Sequence, residues 1–147
     1  MALIRRAGRD DLPALIDLRR RAGAEKGAGD DDGFAERFGA WFEVEDPRRR
    51  FWLAEHDGDA IGMVNLLTFE RMPTPGRDAG RWGYLGNMFV LPEHRNGGVG
   101  RLLLDAVVAH ADAAGLVRVV LSPSERSIPF YRRAGFGDAG ELLVRRP

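Results

Sequence analysis

The chain lacks cysteine altogether and has a single lysine, Lys26, among its 147 residues. The absence of cysteine excludes disulfide bonds, thiolate metal ligands and a cysteine nucleophile. Every other basic side chain is arginine, a bias that a GC-rich coding sequence explains. The chemistry of this protein must therefore be carried by other side chains or by the backbone.

Long apolar runs and net charge are also missing. No segment approaches the roughly 20 apolar residues that cross a bilayer, and the opening M-A-L-I-R-R lacks the apolar run of a signal peptide. We therefore expect a cytoplasmic protein that does not enter membranes. The formal net charge of zero gives no global attraction to nucleic acid, so we expect no nucleic-acid partner. His56, His94 and His110 are not spaced as metal ligands, which predicts no metal site.

The first half of the chain predicts a strand, two helices and a hairpin. A short strand at residues 3–5 precedes a helix that opens after Asp10, and a second helix covers residues 34–45. Residues 51–56 and 60–69 form two strands joined by the hairpin signal Asp57-Gly58. The length suits one domain covering residues 1–147.

The second half predicts alternating strands and helices. A strand at residues 82–91 contains Gly83 and Gly86, which indicate a bulge or a close backbone approach. An amphipathic helix follows from Val99 to about Gly115. The final elements are then a strand at 116–121, a helix at 127–134, and terminal strands at Phe136 and at 142–144, which together predict a mixed sheet with helices on both faces.

The most informative segment runs from Asn87 to Gly100 and reads NMFVLPEHRNGGVG. An apolar strand ends at Pro92, and a glycine-rich loop then opens directly into a helix. The first N–H groups of a helix have no partner within it and carry partial positive charge, which favours a phosphate or pyrophosphate ligand. Gly97, Gly98 and Gly100 lack side chains, so a ligand can approach the backbone closely.

Two motifs in this order resemble a known family. Arg95–Gly100 resembles the R-x-x-G-x-G signature of the GNAT superfamily of N-acyltransferases, and its approach from Val90 resembles the family's V-x-P-x-x-R. The segment Phe130–Phe136 resembles the second hallmark, F-Y-x-x-x-G-F, and residues 4–15 resemble a typical start. The resemblance implies an α/β fold with a mostly antiparallel central sheet, a parallel pair around the cofactor cleft and helices on both faces.

The resemblance also implies acetyl-CoA as acyl donor and a set of residues that contact it. The N–H groups from Asn96 to Arg101 would hold the pyrophosphate, and the strand backbone at residues 88–90 would bind the pantetheine arm and the acetyl group. Ser124 stands where many members carry an asparagine that contacts this arm. The implied contact residues are Met88, Phe89, Val90, Arg95, Asn96, Gly97, Gly98, Val99, Gly100, Arg101, Ser124 and Tyr131.

Tyr131 is the catalytic residue that the resemblance implies. In the family the tyrosine of this motif points at the CoA sulfur and can protonate the departing thiolate. Some relatives take the general base from the strand before the second hallmark, but residues 119–121 are apolar here. Asn87, Tyr84, Glu70 or a chain of waters remain as alternatives for the base.

The acceptor is an amine whose identity the sequence leaves open. Residues 30–32, three aspartates, could attract a cationic amine or form a solvated loop. The helix face of Phe34, Phe38, Trp41 and Phe42 could line an acceptor pocket, although packing on the sheet explains it more simply. Family resemblance suggests a homodimer as one assembly.

Two other functions compete with an acetyltransferase. A non-catalytic acyl-CoA-binding or regulatory domain of the same fold is favoured by the missing base and disfavoured by Tyr131. A nucleotide-binding domain of another kind is opposed because the loop lacks the lysine and hydroxyl of G-x-x-x-x-G-K-[ST].

Overall fold

The structure, a computed structural model, describes all residues from Met1 to Pro147. Its centre is a five-stranded sheet in which the strands stand side by side in chain order. Neighbouring strands are antiparallel up to the fourth, and the fourth and fifth are parallel. The strands are β1 (Leu3–Ala7), β2 (Arg49–His56), β3 (Asp59–Glu70), β4 (Arg81–Val90) and β5 (Val119–Val120). The mixed sheet expected from the sequence is confirmed.

Helices cover both faces of the sheet, because alternate side chains of each strand point to opposite sides. Phe51 of β2 packs against Trp41 and Phe42, whereas its neighbour Trp52 packs against His110 on the other face. The helices are α1 (Leu12–Glu25), α2 (Phe34–Glu45), α3 (Val99–Ala113) and α4 (Ile128–Arg133). The first two lie on the Phe51 face and α3 lies on the Trp52 face, so the prediction of helices on both faces is confirmed.

The core lies where these helices press on the central strands. Leu53 of β2 and Leu66 of β3 are fully buried, as are Leu103 and Leu104 of α3. Removing most of one such side chain costs about 2–5 kcal/mol. This packing fixes the sheet as the rigid base on which the loops at one end are held. None of the helices is both long and apolar enough to span a bilayer.

β4 contains a bulge halfway along its length. Asn65 of β3 stands opposite Gly86, but Met63 stands opposite Phe89, so two residues of β4, Asn87 and Met88, occupy the space of one. Asn87 adopts a positive φ of 58°, which asparagine tolerates better than most residues. The glycines of β4 therefore indicated a real irregularity, although the bulged residue itself is Asn87.

β4 and β5 separate immediately beyond their first residues. β5 pairs only with Gly83 and Tyr84, so the outer edge of β4 from Leu85 to Val90 has no strand partner. The sequence predicted a longer strand over residues 116–121. That prediction is wrong in extent. Val117 and Arg118 each share one backbone hydrogen bond with β4 without extending the strand, and beyond Val120 the two segments diverge. The result is an opening between two parallel strands.

The two terminal strands predicted at Phe136 and at residues 142–144 are absent. Phe136 instead packs its ring against Tyr131, with centroids 5.8 Å apart. Leu143 is fully exposed, and Leu142 and Val144 are also exposed. A strand requires a neighbour for its backbone, and the two-residue β5 presents too short an edge to supply one. An apolar run alone was therefore insufficient to specify a strand.

Candidate functional site

A cleft of about 1700 Å³ opens where β4 and β5 diverge. The loop before α3 and helix α4 border it on one side, and the connection between α1 and α2 borders it on the other. The bulge residue Asn87 lies between these two sides. A cleft at the point where parallel strands separate is a common ligand site in mixed sheets.

The loop before α3 presents a row of free backbone donors. The N–H groups of Asn96–Arg101 donate to no protein acceptor, and the first bond of the helix is made by Leu102 to the carbonyl of Gly98. Gly98 holds a φ of +88° and Asn96 a φ of +63°, which lets the chain curl tightly into the helix. This arrangement fits a pyrophosphate group, as the glycine spacing predicted.

The structure brings eleven of the twelve predicted coenzyme residues to the cleft. The exception is Gly97, which does not line it; a Cβ there would point towards the carbonyl of His94. The residues that line the cleft are Met88, Phe89, Val90, Arg95, Asn96, Gly98, Val99, Gly100, Arg101, Ser124 and Tyr131. The side chains of residues 88–90 also pack against the core, so these residues contribute their backbone edge.

Arg95 connects three elements around the loop. Its Nε donates to the carbonyl of Val90 at 2.9 Å, and its Nη2 pairs with Glu25 at the end of α1 at 2.6 Å. The guanidinium also stacks over Phe89, 5.5 Å from the ring centroid. Arg95 therefore positions the loop, and part of its charge is neutralised by Glu25.

Tyr131 presents an unengaged phenol to the cleft. Its ring is held edge-on by Phe130 and Phe136, and the residue is only 7% exposed. Burial raises the pKa of the Tyr131 hydroxyl above its ordinary value of 10.0. The group therefore keeps its proton near neutrality, and this is the protonation state that a proton donor needs.

Small hydroxyl groups lie near Tyr131 at the mouth of the opening. Ser124 donates to Ser127 Oγ at 3.1 Å, and Ser127 donates to the carbonyl of Ser124 at 2.9 Å. Tyr84 of β4 donates to Ser122 Oγ at 2.8 Å and bridges the gap between the diverging strands. Ser124 therefore forms hydrogen bonds within a turn and also lines the cleft.

Positive charge dominates the cleft. Nine arginines and Lys26 line it, against three carboxylates. Each of these carboxylates is paired with an arginine: Glu25 with Arg95, Asp30 with Arg20, and Asp31 with Arg37. The hydrogen bond from Arg37 lowers the pKa of Asp31. The acidic loop at residues 30–32 thus uses two of its three charges within the protein.

A chain of hydrogen-bonded polar side chains connects the end of α2 to the cleft, and sequence reasoning missed it. Glu45 at the end of α2 accepts from Arg49, which donates to Asn65, which donates to Asn87 at the bulge, over distances of 3.0, 2.7 and 2.8 Å. Glu45 is 7% exposed and Asn65 is 3% exposed. One signal was available: Asn65 interrupts the apolar run of β3, and a buried amide must find partners. We call these four residues the polar relay.

The structure narrows the choice of general base. Glu70, one sequence-based alternative, lies at the far end of β3 beside Arg71 and Arg81 and does not line the cleft. Asn87 and Tyr84 do line it. No unpaired carboxylate faces the cleft, and no three side chains of the metal-ligating types cluster in the protein. Of the sequence-based alternatives for the base, Asn87, Tyr84 and a chain of waters therefore remain.

The cleft thus has two differently built halves. We name the halves after the ligands predicted for them from the sequence. The coenzyme half comprises the lining residues within 88–101 and 121–133, which offer backbone donors, glycines and Tyr131. The acceptor half comprises the lining residues between Arg19 and Asp31, together with Phe34, Arg37, Arg49, Tyr84 and Asn87, which offer side chains. Asn87 stands at the boundary between the two halves.

Comparisons with known proteins agree with this geometry. The sequence profile of the acetyltransferase (GNAT) family matches residues 13–136. Among solved structures, a predicted acetyltransferase of Clostridium acetobutylicum, determined with acetyl-CoA, superposes with a TM-score of 0.81 at 25% identity over 99% of this chain and 96% of that one. A GCN5-related N-acetyltransferase of Ralstonia eutropha gives a TM-score of 0.76 at 26% identity, with 99% of each chain covered.

Curated relatives match over shorter stretches. A mycothiol acetyltransferase of Frankia casuarinae is 37% identical over 72% of this chain and 31% of its own length. A glucosamine 6-phosphate N-acetyltransferase of Trypanosoma brucei brucei is 27% identical over 63% of this chain and 65% of its own. The matched part of the chain therefore spans between about a third and two thirds of these relatives. With the family profile matching most of its residues, the chain belongs to the acetyltransferase (GNAT) family.

Proposed function

We propose that the protein transfers an acetyl group from acetyl-CoA directly to a primary amine while both substrates are bound. The observation that carries this proposal is the row of free N–H groups from Asn96 to Arg101, in one cleft with the unengaged hydroxyl of Tyr131. Six donors without protein acceptors at a helix start favour a diphosphate. A protonated phenol in the same cleft favours proton donation to a leaving group.

Acetyl-CoA supplies the activated acyl group, and the residues present fit its parts. The loop at 96–101 would bind the pyrophosphate, and the basic lining would screen the coenzyme's negative charge. The unpaired edge of β4 from Leu85 to Val90 would orient the pantetheine arm as an additional strand does. A backbone N–H on this edge would hold the negative charge that develops on the carbonyl oxygen.

Tyr131 would move the proton that the reaction requires at the sulfur. Its Oη carries that proton at neutral pH, because burial raises its pKa. Phe130 and Phe136 restrict the ring to one orientation, so no reorganisation is needed when the proton moves. The amine's own proton would leave through water, since the acceptor half holds no free carboxylate.

The proposal is tested by measuring free thiol release from acetyl-CoA with a library of amines. The Tyr131→Phe variant should lower kcat by about 100-fold while leaving the coenzyme's Kd within about twofold, because it removes the proton and keeps the ring. An unchanged kcat would remove Tyr131 from the chemistry. The matched control is Phe136→Leu, which loosens the ring without removing the hydroxyl and should have a smaller effect.

A second candidate is a non-catalytic acyl-CoA-binding or regulatory domain. The observation that favours it is the missing base, since every carboxylate of the cleft is held by an arginine. The same library separates the two functions. Acetyl-CoA that binds tightly but releases no thiol with any amine would establish the binding domain.

A further inference from the structure

The orientation of the Asn87 amide is fixed by Asn65, a residue that does not line the cleft. Arginine has hydrogen-bond donors only, so the Asn65 atom that lies 2.7 Å from Arg49 Nη1 must be the oxygen, Oδ1. The Asn65 amide nitrogen must then face Asn87, and the atom it meets at 2.8 Å must be Asn87 Oδ1. The nitrogen of Asn87 is left for the cleft.

Asn87 therefore presents its two N–H donors at the boundary between the coenzyme and acceptor halves, while its oxygen faces Asn65. The side chain is exposed there and its Nδ2 donates to no protein atom. The bulge makes this possible: strict alternation would send residue 87 to the face that α3 covers, whereas its positive φ lets the side chain reach Asn65. The donor is thus built in by the fold.

The anchor of the relay is rigid and charged. Glu45 accepts from Arg48 at 2.8 Å and from Arg49 at 3.0 Å, and hydrogen bonding to Arg48 lowers the pKa of the Glu45 carboxyl. Arg49 also lies 5.1 Å from the ring centroid of Trp41. A guanidinium held on both sides in this way cannot turn, so the amides beyond it cannot exchange their oxygen and nitrogen.

The charges of the acceptor half also favour an anionic ligand. Its aspartates, Asp30 and Asp31, are neutralised by Arg20 and Arg37, and Arg49 lines the cleft beneath Asn87. A ligand there meets donors and cations but no unpaired carboxylate. A cationic tail would find no partner, whereas an anionic oxygen would find several.

From this geometry we infer that the acceptor is a primary amine that also carries an anionic oxygen group, a carboxylate or a phosphate, which Asn87 Nδ2 binds. This inference rests on the proposed acetyl transfer and adds a substrate class to it. Polyamines and other polycationic acceptors are excluded by the same donors. Glu45, Arg49 and Asn65 serve as positioning residues that set the hydrogen-bonding polarity of Asn87.

The test uses matched amines in the thiol-release assay with the full chain. β-Alanine is compared with propylamine for a carboxylate, O-phosphoethanolamine with ethanolamine for a phosphate, and spermidine represents a polycation. We expect at least one anionic amine to exceed its neutral partner by about tenfold or more in kcat/KM, with spermidine the poorest. The pair that responds identifies the anionic group.

Asn65→Asp is the decisive variant because it reverses the hydrogen-bond direction at Asn87 while changing no residue that lines the cleft. A carboxylate at position 65 still accepts from Arg49, but it also accepts from Asn87, which must turn its amide and present oxygen to the cleft. We expect the anionic preference to be lost or reversed, with the coenzyme's Kd unchanged within about twofold. Asn87→Asp, a substitution on an exposed residue that tolerates the same φ, should have the same effect.

Two controls separate polarity from charge and from folding. Ser122→Asp adds a carboxylate to the same cleft outside the relay, and it should reduce the anionic preference less than Asn65→Asp does. Thermal melting of each variant reports folding. The inference is overturned if a neutral amine or spermidine is the better substrate, if no anionic amine is acetylated although acetyl-CoA binds, or if Ser122→Asp equals Asn65→Asp. Failure of acetyl-CoA to bind would instead show as a missing Kd and would defeat the proposed function itself.

Discussion

The two halves of the cleft differ in what they are made of. The coenzyme half offers the backbone N–H groups of residues 96–101 and the bare edge of β4, whereas the acceptor half offers the side chains of Arg37, Arg49 and Asn87. Backbone groups are the same in every protein of this fold, so they suit a ligand part that does not vary. Side chains can differ from one relative to the next, so they suit the acceptor. We therefore expect the acceptor specificity of this chain to depend on these side chains.

The halves also differ in how their charges are used. In the coenzyme half, Arg101 pairs only with Asp105 of its own helix, and both are half exposed, so this pair contributes little to stability. In the polar relay next to the acceptor half, Glu45 and Arg49 are largely buried and connect α2 with β2. Burial makes the second arrangement costly to disturb. Variants in the coenzyme half should therefore change mainly the affinity for acetyl-CoA, whereas variants of this buried pair should also change the free energy of unfolding.

The largest expected effect is in the coenzyme half. Gly98→Asp places a negative charge and a Cβ at a φ of +88°, directly beside the free N–H groups. We expect the affinity for acetyl-CoA to fall by about 100-fold or more, which is about 2.7 kcal/mol, measured by calorimetry. Gly98→Asn is the matched control, since it has the same shape without charge and tolerates this backbone conformation. Equal losses in the two variants would mean that strain, and not charge, is responsible.

This prediction depends on a loop that the sequence made recognisable. The glycines and the following apolar period identified the helix start, because few residue types allow a tight turn at positive φ. The bounds of α2 and the β2–β3 hairpin were predictable for similar reasons, from periodicity and from Asp57-Gly58. Local chemistry decided these elements, so a local pattern was sufficient.

The acceptor half could not be predicted in this way. Asn65 lies 16 residues from Arg49 and 22 residues from Asn87 along the chain, and only the folded sheet brings these three side chains together. The same reason explains the incorrect strand at residues 142–144: whether an apolar segment becomes a strand depends on a partner edge elsewhere in the fold. Asn65 was the one visible sign, as a polar residue within an apolar strand.

The middle-sized effect should come from the anchor of the relay. Glu45→Gln removes one of the two acceptors that hold Arg48 and Arg49, and we expect the free energy of unfolding to fall by about 1–3 kcal/mol at pH 7. The anionic preference of the acceptor half should weaken in the same variant. The coenzyme's Kd should stay within about twofold, because the loop at 96–101 is untouched. Glu43→Gln, which removes an exposed partner of Arg9, is the control and should change stability by less than about 1 kcal/mol.

The same variant gives a pH test with a definite sign. The hydrogen bond from Arg48 lowers the pKa of Glu45 below its ordinary value of 4.5 in the folded state. The carboxylate therefore contributes its stability above pH 4.5, and that contribution is lost as the pH falls through the lowered folded value. Urea unfolding at several pH values should show the wild type and Glu45→Gln converging in acid. A gap that stayed constant would contradict the ion pair.

The smallest effect should come from the acidic loop. Asp31→Asn frees Arg37, with which it makes a bidentate pair at 2.6 and 3.1 Å, and so adds one unneutralised cation to the acceptor half. We expect KM for an anionic amine to fall by about twofold, because the pair is exposed and screened. Asp32→Asn, next to it on the same loop, is the control. A rise in KM would instead support direct contact between Asp31 and a cationic amine.

The most direct test of the two-half account is an NMR titration of the isotope-labelled protein. Acetyl-CoA is titrated into a first sample. The better anionic amine is titrated into a second sample, which holds desulfo-CoA in place of acetyl-CoA so that no acetyl group can be transferred. We predict that the backbone amides of residues 96–101 shift with the coenzyme alone, and that the Asn87 side-chain amide shifts strongly only when the amine is added. Backbone amides of 96–101 that do not respond to the coenzyme, or an Asn87 side chain that ignores the amine, would contradict the account.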